Sequence, residues 1–124
     1  MKSFVINIEE KTFSNNNFRE VLFTTERTQL VVMSLKPNEE IGTETHEADQ
    51  FLRFESGEGK VVLGEEVYTV KDGFAVIIPA GTEHNVINIS KENDLKLYSI
   101  YAPPQHPSDT VHATKTEAEM AEDE

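Results

Sequence analysis

The chain has 124 residues and a formal net charge of −12, from 11 Lys and Arg against 23 Asp and Glu. That balance suits solubility and excludes nucleic acid and anionic membrane as partners, since both need a basic face. The length allows one domain with a single core, and the lack of cysteine removes any disulfide framework or thiolate site.

The mostly apolar run at residues 4–8 is too short for a signal-peptide core or a membrane span, so a cytoplasmic protein is expected. Short β-branched and aromatic runs then alternate with Gly, Pro and Asn, the pattern of an all-β sandwich or barrel. The expected strands are 5–8, 20–24, 29–35, 41–46, 51–55, 59–63, 66–70, 75–78, 84–89 and 95–102. Ser14 to Asn17 form a polar loop; Gly64-Glu65, Lys71-Asp72-Gly73 and Pro79-Ala80-Gly81-Thr82 are turns, with Gly and Pro in familiar turn roles. No amphipathic helix of useful length is expected before residue 107. Pro103 and Pro104 end the last strand, and a short helix or coil is expected in the acidic segment 110–124. The expected organisation is one β domain over 1–103, followed by a C-terminal arm and acidic tail over 104–124.

Two stretches carry potential chemistry. From Gly73 to Asn88 the chain places Gly73, Pro79, Gly81, His84 and Asn88 in the frame G-x5-P-x-G-x2-H-x3-N. Upstream, Asn38, Glu44, His46, Gln50 and Gly57 form a second frame. The first of these stretches matches the second motif of the cupins at every fixed position. The upstream frame keeps the spacing of their first motif, G-x5-H-x-H-x3,4-E-x6-G, with Asn38 for Gly, Glu44 for the first His and Gln50 for the acid. The chain therefore resembles a small single-domain cupin. The resemblance implies an all-β, cupin-type jelly-roll β-barrel with a site near its mouth, and it leaves the reaction open, because function belongs to the site and not to the fold.

Residues two apart on a strand share a face, so Glu44 and His46 are expected to point together, with His84 starting a neighbouring strand. If both motifs lie side by side, Glu44, His46 and His84 converge. Two imidazoles and a carboxylate suit a divalent transition metal: Fe, Mn, Zn, Ni or Co. Gln50 either adds an amide oxygen or hydrogen-bonds a bound water or substrate, and Glu44 is open as ligand or as base. Gly73, Pro79 and Gly81 shape the turn presenting His84, and Asn88 is an interior or turn-stabilising polar residue. Leu52 and Phe54 share the face of Gln50 as an apolar wall, while Phe51 points outward, which suggests contact with another layer or a second subunit, a symmetric homodimer being the commonest arrangement. For His106 and His112 two readings stand: an arm lending a histidine to the site, or, preferred, an arm packed outside or exchanged with a partner chain.

Three functions follow. The first is a metal-dependent enzyme acting on a small polar molecule, with dioxygenase-like and isomerase-like chemistry both open. The second is a non-catalytic cupin module that binds a small molecule. The third is a purely structural barrel.

Overall fold

The computed structural model describes residues 2–122, in the order α1 (Ile8–Ser14), β1 (Arg19–Thr24), β2 (Gln29–Leu35), β3 (Asp49–Ser56), β4 (Glu58–Leu63), β5 (Glu66–Lys71), β6 (Ala75–Ile78), β7 (His84–Asn88), β8 (Leu95–Ala102), β9 (Val111–His112) and α2 (Lys115–Glu122). Three expected strands, 29–35, 75–78 and 95–102, have the observed bounds, and five others differ by one or two residues at an end. Two do not exist. Residues 5–8 form no strand, because Asn7 caps a helix instead: its Oδ1 accepts the Glu10 N–H at 3.0 Å, and Glu9 and Glu10 set negative charge at the positive end of the helix. This seven-residue α1 is also the helix not expected before residue 107. Residues 41–46 form no strand either; the segment touches β7 only through isolated bridges at Glu40–Ile87 and Glu44–His84.

The strands make two antiparallel sheets, one in the order β6-β3-β8-β2-β1-β9 and one in the order β5-β4-β7. Their inner faces share one core. Val31, Met33 and Leu35 of β2, Leu52 and Phe54 of β3, and Leu95 and Leu97 of β8 lie with Val61, Val70 and Val86 of the smaller sheet. Each such side chain stabilises the fold by about 1.5–3 kcal/mol through burial, so this contact holds the two motifs together. The closed barrel of the sequence reading is, in the structure, two facing sheets of jelly-roll type.

On β3, alternation works as expected: Gln50, Leu52 and Phe54 are buried, and Phe51 lies on the other face. Phe51 stands opposite Ile77 and Ile100, Ile100 opposite Leu30, and Leu30 opposite Phe23. Register thus lines up five apolar residues across five strands on the outer face, with Phe4 stacked on Phe23 at 5.0 Å between ring centroids.

Two backbone positions explain the first motif. Asn38 has φ 63°, the left-handed region that Asn tolerates better than other non-glycine residues, so it fills a glycine position without breaking the turn. Gly57 has φ 107°, and a Cβ there would lie 2.6 Å from the Asp94 carbonyl oxygen, so only glycine fits. Asn88, 1 % exposed, uses its amide Nδ2 to donate to the carbonyls of Leu35 (3.0 Å), Lys36 (3.1 Å) and Asn93 (2.8 Å), while its Oδ1 accepts the Ser90 N–H at 2.9 Å. It is the interior polar residue expected, and it ties together the loops leaving β2 and β7.

Candidate metal and ligand site

Glu44 and His84 come from the two motifs, and their backbones exchange hydrogen bonds, Glu44 N–H to His84 O at 2.8 Å and His84 N–H to Glu44 O at 2.9 Å. Asn85 fastens the preceding loop: its Oδ1 accepts the Gly42 N–H at 2.9 Å and its Nδ2 donates to Glu40 Oε1 at 3.2 Å. The second motif's turn is pinned in the same way, by the Gly81 N–H to the His46 carbonyl at 2.8 Å and the Ala80 N–H to Asp49 Oδ1 at 2.9 Å.

All four residues expected at the site line one narrow cleft with about 10 Å³ of free space, room for a single water: Glu44, His46, Gln50 and His84, with Asn85 and Tyr101 beside them. His46 Nε2 and Glu44 Oε2 are 2.8 Å apart. The His46 and His84 rings are 5.3 Å apart between centroids. His84 Nδ1 lies 2.9 Å from the Thr82 carbonyl oxygen, which only accepts, so the ring donates there and its Nε2 is left as a lone-pair donor. Gln50 is 4 % exposed; its Nε2 donates to Ser99 Oγ at 3.0 Å, and its Oε1 is buried with no partner among the described residues. Among the described residues no three His, Cys, Asp or Glu side chains surround a common point as metal ligands do; Glu44 and His46 face each other instead.

Burial alone would raise the Glu44 carboxyl. The His46 hydrogen bond and charge, with Arg19 and His84, outweigh burial and hold Glu44 below its usual range. Burial, reinforced by Glu44, pushes the Tyr101 phenol up to about 12 against the opposing effect of Arg19, so it is neutral at pH 7.

Four residues near the site were not singled out in the sequence. Tyr101 stands opposite Gln50 in the β3–β8 register, its ring edge-on to His46 at 5.5 Å. Arg19 is 3 % exposed at the start of β1, and its charge reaches Glu44 and Tyr101. Gln29 and Asn85 act by anchoring backbone. The available signal was alternation: Leu95, Leu97, Ser99 and Tyr101 share the buried face of β8, and its last two positions are polar.

The arm beyond β8 folds back on its own chain. The Gln29 side chain clamps it, with Nε2 donating to the His106 carbonyl at 2.7 Å and Oε1 accepting the N–H groups of Gln105 (3.2 Å) and His106 (3.1 Å). The His106 ring packs edge-on to Tyr101 at 5.3 Å, so Tyr101 stands between His106 and His46. His112, on β9, pairs in register with Arg19.

A family model described as a cupin domain matches residues 31–101. The chain is 50 % identical to the Bacillus subtilis protein YrkC over 98 % of this chain and 69 % of that protein. It is 39 % identical to protein L612 of Acanthamoeba polyphaga mimivirus, over 93 % of this chain and 74 % of the other. Among solved structures, BH2720 of Bacillus halodurans superposes with a TM-score of 0.92 at 48 % identity, covering 96 % of this chain and 95 % of that one. With both motifs, two facing sheets and these matches together, the chain belongs to the cupin family. Among the described residues no helix is long and apolar enough to cross a membrane.

Proposed function

We propose that this cupin holds a divalent transition metal, one of Fe, Mn, Zn, Ni or Co, through Glu44, His46 and His84 with Gln50, and binds or transforms a small polar molecule there. One observation carries the reading: two imidazoles, a carboxylate and the unpartnered Gln50 Oε1 line one cleft, with the His84 tautomer set by Thr82 to leave Nε2 as a donor. This donor set fits a divalent metal by chemistry, and a metal competes with the Glu44–His46 pair for the same oxygen and nitrogen. When bound, the metal supplies Lewis-acid or redox chemistry, and both isomerase-like and dioxygenase-like reactions remain open to it. The chain's part is to orient: Ser99 fixes the Gln50 amide, Thr82 fixes His84, and the neutral Tyr101 walls the cleft and offers a hydroxyl donor.

The test is elemental analysis of untagged protein prepared without chelator. Near-stoichiometric metal that falls on His46→Ala or His84→Ala substitution supports the centre; metal content indifferent to both substitutions removes it. A second reading, a binding module without catalysis, is favoured by the direct 2.8 Å Glu44–His46 contact, which satisfies both groups without a metal. Oxygen uptake that stays flat across small diols, catechols and sugars, with a ligand nonetheless bound, selects that reading. We further propose that a second copy of the chain packs on the outer apolar row Ile77, Phe51, Ile100, Leu30 and Phe23.

A further inference from the structure

Arg19 is the charged group that the proposed centre does not use. Its side chain is buried, at 3 % exposure, yet among the described residues its Nε has no hydrogen-bond partner and its guanidinium makes no ion pair. A buried guanidinium that makes no ion pair recovers only part of its desolvation cost, here through the charge of Glu44. Its one described aromatic contact, Cζ 5.3 Å from the Phe18 ring centroid, offsets little of that.

Space for an anion is present. Arg19 and Glu44 line a cavity of about 250 Å³ beside α2, which shares Ile41, Gly42 and Glu44 with the cleft holding His46 and His84. Of the other charges in this cavity, Lys115 and Glu119 pair with each other at 3.9 Å. Glu44 is committed to His46. Arg19 is thus the cation in this cavity that makes no ion pair among the described residues; the carboxylate its charge reaches, Glu44, is held by His46.

We infer that Arg19 is an anion anchor and that the ligand of the site is a small molecule bearing a carboxylate, held by the guanidinium in the cavity that adjoins the Glu44–His46–His84 cleft. A carboxylate matches the planar fork of a guanidinium in two parallel hydrogen bonds, and Nε is one of the two donors such a pair uses. The inference rests on the reading of that cleft as the ligand site, and it adds the chemical class of the ligand.

The test uses the ¹⁵N-labelled full chain, with and without added Zn²⁺, and acetate, malonate and acetamide as probes at constant ionic strength. The Arg19 Nε–Hε resonance, assigned by its loss in Arg19→Lys, is expected to shift saturably with malonate or acetate and to ignore acetamide. Malonate is also expected to raise the melting temperature of the wild type, and to bind Arg19→Lys and Arg19→Met at least about tenfold more weakly, as loss of a bidentate charged pair implies. Metal content is expected to be unchanged in both variants. An Arg19 resonance unmoved by either carboxylate overturns the inference. So does a resonance that moves, without added anion, when Glu122, Asp123 and Glu124 are replaced by Gln, Asn and Gln, because the chain's own acidic terminus is then the partner. Loss of metal binding with the Arg19 response intact removes the metal reading alone.

Discussion

Glu44 and His84 sit opposite one another and exchange two backbone hydrogen bonds, at 2.8 and 2.9 Å, so the carboxylate of the first motif and the imidazole of the second are positioned by one element of structure. Their side chains are brought together by main-chain geometry and not by attraction between them. Replacing either side chain should therefore leave the fold in place, and site variants report on chemistry.

Zn²⁺ or Ni²⁺ should raise the melting temperature of the wild type, because ligation stabilises only the folded chain. The rise is expected to vanish in His84→Ala and His46→Ala and to shrink in Gln50→Ala. It should also weaken from about pH 7 to pH 5, since protons compete with metal for the ligand atoms. Calorimetric scans at both pH values measure this. Affinity equal at the two values contradicts histidine ligation.

Asn88→Ala should cost about 2–4 kcal/mol, because one substitution strips partners from the carbonyls of Leu35, Lys36 and Asn93 and from the Ser90 N–H. Asn88→Asp should be no better, as its carboxylate meets three carbonyl oxygens where the amide donated. Urea unfolding gives both values, and a cost below about 0.5 kcal/mol for either variant would show that water replaces the side chain.

The two special backbone positions of the first motif should respond differently. Gly57→Ala forces a Cβ to 2.6 Å from the Asp94 oxygen at φ 107° and should cost about 2–4 kcal/mol. Asn38→Gly should be within about 0.5 kcal/mol of the wild type, and Asn38→Ala about 1 kcal/mol less stable, since φ 63° suits Gly and Asn and strains Ala. Equal effects of Gly and Ala at position 38 would refute the conformational account.

These positions also show what the sequence made legible. Strands with short apolar or alternating runs between turn residues were found nearly to the residue, and the inward Gln50, Leu52 and Phe54 followed from period two alone. The 41–46 segment failed because Gly42, at φ 106°, breaks the extension, and tertiary bridges to β7 do what a ladder would have done. The Asn7 cap that makes α1 is one local hydrogen bond, which the apolar run beside it concealed. Tyr101, Arg19 and Gln29 join the site only through the strand order β3-β8-β2-β1, a relationship between residues far apart in sequence that no local pattern encodes.

Burial, with a further contribution from the Arg19 charge, lowers the His106 pKa from 6.5 to about 4, and its buried Nε2 has no partner among the described residues. A histidine that is harder to protonate folded than unfolded leaves the unfolded chain binding more protons. Its effect on stability is therefore nil above about pH 6.5 and grows unfavourable as pH falls toward 4. The full cost is about 2–3 kcal/mol, given that the ring is partly exposed. Glu44, whose pKa is lowered, loses its contribution only as pH drops below 4.5, so the two windows separate. Urea unfolding of wild type and His106→Leu at pH 7.5, 5.5 and 4.5 should show the variant gaining on the wild type through this range. A constant difference would mean that His106 binds its proton equally well in the folded and unfolded chains, contrary to a lowered folded-state pKa.

The outer row Phe23–Leu30–Ile100–Phe51–Ile77 spans five strands, about 20 Å at the ordinary strand spacing. Ile100 is its middle member, so a two-fold axis there would set Leu30 against Phe51 and Ile77 against the Phe4–Phe23 stack, apolar on apolar throughout. A two-fold dimer needs such self-complementarity, and the row carries no charge on a chain of net charge −12 that would otherwise repel its copy. Sedimentation equilibrium should give twice the 14.0 kDa chain mass for the wild type. Phe51→Lys and Ile100→Lys should give the monomer mass with unchanged circular dichroism, because both side chains lie on the face away from the core; Ile100→Lys sets like charges against each other on the axis, and Phe51→Lys buries an unpaired charge against Leu30. A wild type that stays monomeric across the concentration series, or lysine variants that stay dimeric, would take this face out of the interface.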